Sequence, residues 1–192
     1  MTTFVLHGGE TSRVDIRNDV FFWRFTELVE KPEVKILICN WARQKEDWEI
    51  IFNRDVEKIK AAMTKKVECK LLEEEEDLEK LIDWCDVFYI NGGWQKYIEP
   101  HLGALKSIKN LVDCKVVVGS SMGAFYVASY FVMSFDEKDA GVYEGLNLLP
   151  TSLLCHWDRE KRREMKLKLL RAKDPNLPIL TLDECESVVI YC

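Results

Sequence analysis

The feature that most restricts the fold of this chain is a regular alternation of short apolar runs with longer amphipathic stretches. Phe4-Val5-Leu6 reads as a first strand, closed by Gly8-Gly9, and Val34 to Cys39, Lys66 to Leu71, Val87 to Ile90 and Lys115 to Val118 read as further strands. Helical spacing predicts helices over Asp19 to Val29, Trp48 to Met63, Asp77 to Trp84 and Tyr97 to Leu111 between them. Ala124 to Val132 is apolar on nearly all sides and reads as a buried central helix. Residues 133–150 read as a long loop, Ser152 to His156 as a strand and Arg159 to Leu170 as a helix. Ile179 to Leu182 and Ser187 to Tyr191 are too close for an intervening helix and are expected to pair as a C-terminal hairpin. Strands separated by helices imply right-handed crossovers and a doubly wound α/β fold, a mainly parallel sheet with helices on both faces. With no repeat or linker visible, residues 1–192 are expected to form a single domain.

In such a sheet, ligands bind beyond the carboxyl ends of the strands, so the loops after Leu6, Cys39, Ile90, Val118 and around His156 matter most. One of them is Gly119-Ser120-Ser121-Met122-Gly123, set between a β-branched strand and an apolar helix. This is the context of a nucleophile elbow, in which a sharp turn lifts the central serine hydroxyl above the sheet. Ser120 is adjacent, but the glycine spacing centres the pattern on Ser121. A serine needs a base, and the chain has three histidines. His7 ends the first strand and His101 lies within a helical pattern, whereas His156 follows the strand Leu153-Leu154-Cys155 at the active edge. Asp183, Glu184 and Glu186 are the candidates for the acid that orients the base. The N–H of Met122 and a donor from Gly92-Gly93 would form an oxyanion hole.

Composition narrows the partners. A net charge of −6 argues against a general nucleic-acid binder, and no apolar run approaches the roughly 18 residues of a membrane span. Seven cysteines without a CxxC pair, several in apolar runs, point to buried reduced thiols rather than disulfides or zinc. A cytoplasmic protein with neither metal nor organic cofactor is expected. Trp41, Trp94 and Trp157 each follow a strand end and could line an aromatic pocket, and Arg43 could hold a substrate carboxylate. The basic stretch from Arg159 to Lys168 reads as an exposed helix face.

Ile90-Asn91-Gly92-Gly93, the elbow with Ala124, Gly145 to Leu149, His156 and Leu182-Asp183-Glu184 occur in an order and spacing that resembles peptidase family S51. That family contains peptidase E, an aspartyl dipeptidase, and cyanophycinase, on the class I glutamine-amidotransferase-like fold. The resemblance runs from about residue 34 onward. It implies Ser121 as nucleophile, His156 as base, Glu184 as acid, and Gly93 and Met122 as oxyanion donors. It implies a small peptide as substrate; Gly92, Trp94, Gln95, Arg43 and Trp157 are the residues expected to contact it, and a homodimer is left open. The amidotransferases use cysteine at the elbow, so serine here points away from glutaminase chemistry. Trp94 stands where the family usually has Asn or Asp, and the elbow reads Ser-Met-Gly instead of Ser-Ala-Gly. The same triad would serve an esterase or amidase, and Trp94 motivates a different alternative, a non-catalytic binding module.

Overall fold

The computed structural model describes residues 1–133 and 141–192. Of the loop expected over 133–150, residues 134–140 lie outside the described part. Five strands, β1 (Thr3–His7), β2 (Glu33–Cys39), β3 (Lys66–Leu71), β4 (Val87–Ile90) and β5 (Val116–Ser120), run parallel in the main sheet. Four more, β6 (Tyr130–Phe131), β7 (Tyr143–Glu144), β8 (Ser152–Leu154) and β9 (Ile179–Thr181), form a second sheet in the order β7-β6-β8-β9. The last, β10 (Ser187–Tyr191), returns to the main sheet antiparallel to β1, giving the order β10-β1-β5-β4-β2-β3.

Alternation along the strands divides the core in two. Val5, Ile36, Ile38, Tyr89 and Val118 join the cluster that contains α1 (Ile16–Glu27) and α2 (Trp48–Ala62), through Phe21, Phe22, Phe25 and Ile59. Phe4, Leu37, Phe88, Ile90 and Val117 belong to the opposite cluster. It holds α3 (Leu78–Trp84), α4 (Gln95–Ile98), α5 (Leu102–Ser107) and α6 (Met122–Val127), together with Phe131 and Leu153 of the second sheet. The last helix, α7 (Arg163–Lys173), covers the second sheet by packing Leu170 on Val132 and Leu154. The α/β architecture with helices on both faces of a mainly parallel sheet is therefore as expected.

Four local expectations are corrected. The helix expected over Ala124–Val132 stops at Val127, and Tyr130–Phe131 leaves it to pair with β7 and β8. The single helix expected over Tyr97–Leu111 is broken by a tight turn at Glu99–His101, where Pro100 supplies no backbone N–H. The C-terminal hairpin does not form: β9 pairs with β8 in one sheet and β10 with β1 in the other. Of the seven free cysteines, Cys39, Cys85, Cys155 and Cys185 are buried as expected, but Cys114 and Cys192 are exposed. Among the described residues, no helix is long and apolar enough to cross a membrane.

Candidate active site

Strand β5 runs directly into α6, and the junction forces Ser121 to φ 48° and ψ −108°, a conformation non-glycine residues rarely adopt. The turn is this sharp because α6 lies almost on top of β4. A Cβ at Gly123 would sit 2.0 Å from the Ile90 carbonyl oxygen, so a side chain at that position is sterically barred. The Ser121 N–H donates to the His7 carbonyl at 2.9 Å, and its own carbonyl accepts from Phe125 at 2.9 Å. Both main-chain groups are thus fixed, and the side chain stands beyond the strand end.

His156 follows β8 and takes a left-handed backbone conformation, φ 55° and ψ 37°. Its N–H donates to the Gly8 carbonyl at 3.2 Å, which ties the end of the second sheet to the end of β1. Nε2 lies 3.0 Å from Ser121 Oγ, and Nδ1 lies 3.0 Å from Glu184 Oε1. Glu184 is buried, its side chain only 1% exposed, yet three groups hold it. Arg13 Nη2 donates to Oε2 at 2.5 Å, Arg159 Nε lies 3.1 Å from the same oxygen, and the Glu184 N–H donates to Asp158 Oδ1 at 2.9 Å. Two guanidinium groups thus satisfy one oxygen of the buried carboxylate, while the Asp158 contact anchors its backbone. Glu186 is turned elsewhere, its Oε2 accepting from the Asp183 N–H at 2.9 Å.

His7, the other histidine near the elbow, is in a different state. Its ring is fully buried; Nδ1 accepts from the Gly9 N–H at 3.1 Å, so the proton sits on Nε2, which faces Asn18 Oδ1 at 2.9 Å. Burial lowers its pKa to about 4, against the partly compensating Asn18 hydrogen bond and with added repulsion from His156. His7 is therefore a neutral spacer near pH 7. His101 stacks on Trp41 with ring centroids 4.5 Å apart and pairs with Glu75, in a different part of the molecule's edge.

The expected aromatic pocket is not assembled. Trp41 is fully buried, Trp94 is 61% exposed, and Trp157 carries Arg163 over its ring. Trp94 projects largely into solvent. Gln95 is turned to Glu99, and Arg43 donates to the Gly92 carbonyl at 2.6 Å. Gly92 itself abuts the elbow, where a Cβ would come within 3.1 Å of Ser121 Cβ. The N–H groups of Met122 and Gly93 have no acceptor among the described residues.

Sequence reasoning missed three contributors. Gly9, read as a strand-ending turn, has φ 117° and leaves room for the imidazole: a Cβ there would lie 2.3 Å from His156 Cε1. Its adjacency to Gly8 after β1 was the available signal. Arg13 and Arg159 were missed as partners of Glu184, because an arginine in a polar loop carries no mark of the buried acid it will meet.

A serine hydroxyl, an imidazole and a buried carboxylate in series suit nucleophilic acyl transfer. Comparison with known proteins identifies the family. The model of peptidase family S51 matches residues 26–191. A candidate peptidase E from Listeria monocytogenes EGD-e superposes with a TM-score of 0.68 at 18% identity, over 99% of this chain and 94% of the other. A peptidase from an acI-B1 Actinobacterium superposes with a TM-score of 0.64 at 14% identity, over 99% of this chain and 83% of the other. No curated protein sequence matches the chain. At such identities the superpositions speak for the shared fold, and the family match covers most of the length. The chain belongs to peptidase family S51 and is a peptidase of that family.

Proposed function

We propose that this protein is a serine peptidase that cleaves small peptides through a Ser121-His156-Glu184 triad. The observation that carries the reading is the unbroken series of two 3.0 Å contacts from Ser121 Oγ to a buried carboxylate, starting at a strained strand–helix turn. In the first step, Oγ attacks the scissile carbonyl carbon while Nε2 of His156 takes the hydroxyl proton. Nδ1–H donates to Glu184 Oε1 throughout, which fixes the tautomer and stabilises the imidazolium. The carbonyl oxygen becomes an oxyanion between the N–H groups of Met122 and Gly93. Collapse of the tetrahedral intermediate breaks the C–N bond, and His156 returns its proton to the departing amine. Water, deprotonated by His156, then attacks the ester carbon, and Ser121 recovers its proton as the acid product leaves.

The peptidase E resemblance makes small Asp-containing peptides the first substrates to try. Residues 1–192 act together in this reading, since Gly9 and Arg13 lie before the matched segment and touch His156 and Glu184.

A fluorophosphonate probe, followed by peptide mapping of the adduct, tests the proposal. Labelling at Ser121 is expected in the wild-type protein, abolished in Ser121→Ala and at least about 100-fold slower in His156→Ala. A folded wild-type sample that takes no label would overturn it. A panel of Asp-X, Glu-X and neutral dipeptides then reads the specificity.

A further inference from the structure

Arg43 was expected to hold a substrate carboxylate, but its guanidinium is already committed. Its Nε–H donates to the Gly92 carbonyl at 2.6 Å, and the residue is half-buried. The contact belongs to a zipper between the segments that follow β2 and β4. The Asn91 N–H donates to the Cys39 carbonyl at 2.9 Å, and Asn91 Nδ2 donates to Asn40 Oδ1 at 3.1 Å and to the buried Asp55 at 2.5 Å. The Trp94 N–H donates to the Ala42 carbonyl at 2.7 Å.

Gly92 is therefore clamped at both ends. Its N–H donates to Asn91 Oδ1 at 2.8 Å and its carbonyl accepts from Arg43. No cis peptide bond occurs among the described residues, so the Gly92 carbonyl and the Gly93 N–H point in opposite directions across one rigid plane. Fixing the carbonyl fixes the amide. The alternative orientation, with the carbonyl turned toward the reacting centre, would set an acceptor where a donor is required. The neighbouring hydrogen bonds hold the Gly92 N–H and the Trp94 N–H but not the peptide between Gly92 and Gly93, and glycine backbones rotate more freely than others.

We infer that Arg43 is a positioning residue of the reaction, a latch that keeps the Gly92–Gly93 peptide turned so that the Gly93 N–H serves the oxyanion. The inference rests on the role proposed above for Gly93. Arg43 also lines a cleft of about 400 Å³ whose wall includes Glu73 to Glu76, an acidic surface ill suited to a carboxylate, and the clamp and latch roles predict different kinetics.

The test compares wild type, Arg43→Ala and Arg43→Lys by fluorophosphonate labelling and by steady-state kinetics on matched acidic and neutral dipeptide amides. For a latch, Arg43→Ala lowers kcat by up to about 100- to 1,000-fold, as the loss of one oxyanion donor would. KM changes less than about twofold, labelling slows in parallel, and the factor is the same for acidic and neutral substrates. Added guanidinium ion restores part of the lost rate. Arg43→Lys keeps the charge without the planar fork and shows an intermediate loss; it carries the test if Arg43→Ala fails to fold. A loss confined to KM, and to acidic substrates, would establish a clamp and overturn the latch, as would unchanged kcat and labelling. An unlabelled wild type would instead remove the Ser121 reading itself, and with it this inference.

Discussion

Gly9 shows how a residue without a side chain can decide the state of a proposed catalytic base. Its backbone occupies the floor under the His156 ring, and a single methyl there would overlap Cε1 at 2.3 Å. The positive φ of 117° adds strain for any L residue. Gly9→Ala is therefore expected to displace the imidazole and lower kcat by about 100-fold or more, because a shift near 1 Å has that effect on aligned groups. Activity assays paired with circular dichroism check this, and a folded variant of normal kcat would disprove it. At this scale the sequence revealed groups that must be chemically special and hid those that are special by placement. Ser121 and His156 could be read from their positions at strand ends, since few residue types can act as nucleophile and base. Gly9, Arg13 and the latch at Arg43 could not, because their roles depend on which distant segment comes to lie beside them.

Among the elements, the segment from Leu182 to Glu186 matters more than a hairpin turn would. The Leu182 N–H donates to the Leu154 carbonyl in the second sheet, while the Glu186 carbonyl accepts from Gly8 at the end of β1. Glu184 thus rides on the crossing from one sheet to the other, which carries it inward beside His156; a hairpin would have left it in water. Glu184→Gln keeps the volume but offers an amide to Nδ1, so kcat is expected to fall about ten-thousandfold, by analogy with triad acids elsewhere. Thermal unfolding should move at the same time, because Arg13 and Arg159 lose their carboxylate. Loss of stability with unchanged kcat would show that the acid is structural only. The elements themselves were legible where periodicity was strong: β3 and β4 match their expected bounds, and α2 ends one residue early. The start of α1 at Ile16 was missed because its cap, Asp15, also reads as loop. The α6–β6 region was misread because a run that is apolar on all sides has no period to distinguish helix from strand.

For the whole molecule, the neutral His7 wedged between β1, the elbow and Asn18 ties stability to pH. In the unfolded chain this histidine titrates near 6.5, and in the fold its pKa is held down to about 4. The unfolded state therefore binds the extra proton first, and the contribution of His7, complete above pH 6.5, is lost as pH falls toward 4. That window corresponds to about 3 kcal/mol at most. Urea unfolding at pH 7 and pH 4.5 should show a fall that is shallower in His7→Gln; equal slopes would exclude His7 as the source. In the second sheet, β8 and β9 were legible as strands at Ser152 and Ile179, whereas the two-residue β6 and β7 were not, since such strands exist only through their partners. Its crossing to β10 also sets a schedule. The groups of the proposed site come from residues 9, 121, 156 and 184, so the base and its acid meet only after the final strand has docked beside the first. In a chain emerging in order from its amino end, the acid of the proposed site would come last, so its groups could meet only once residue 184 and the strand that follows it had emerged.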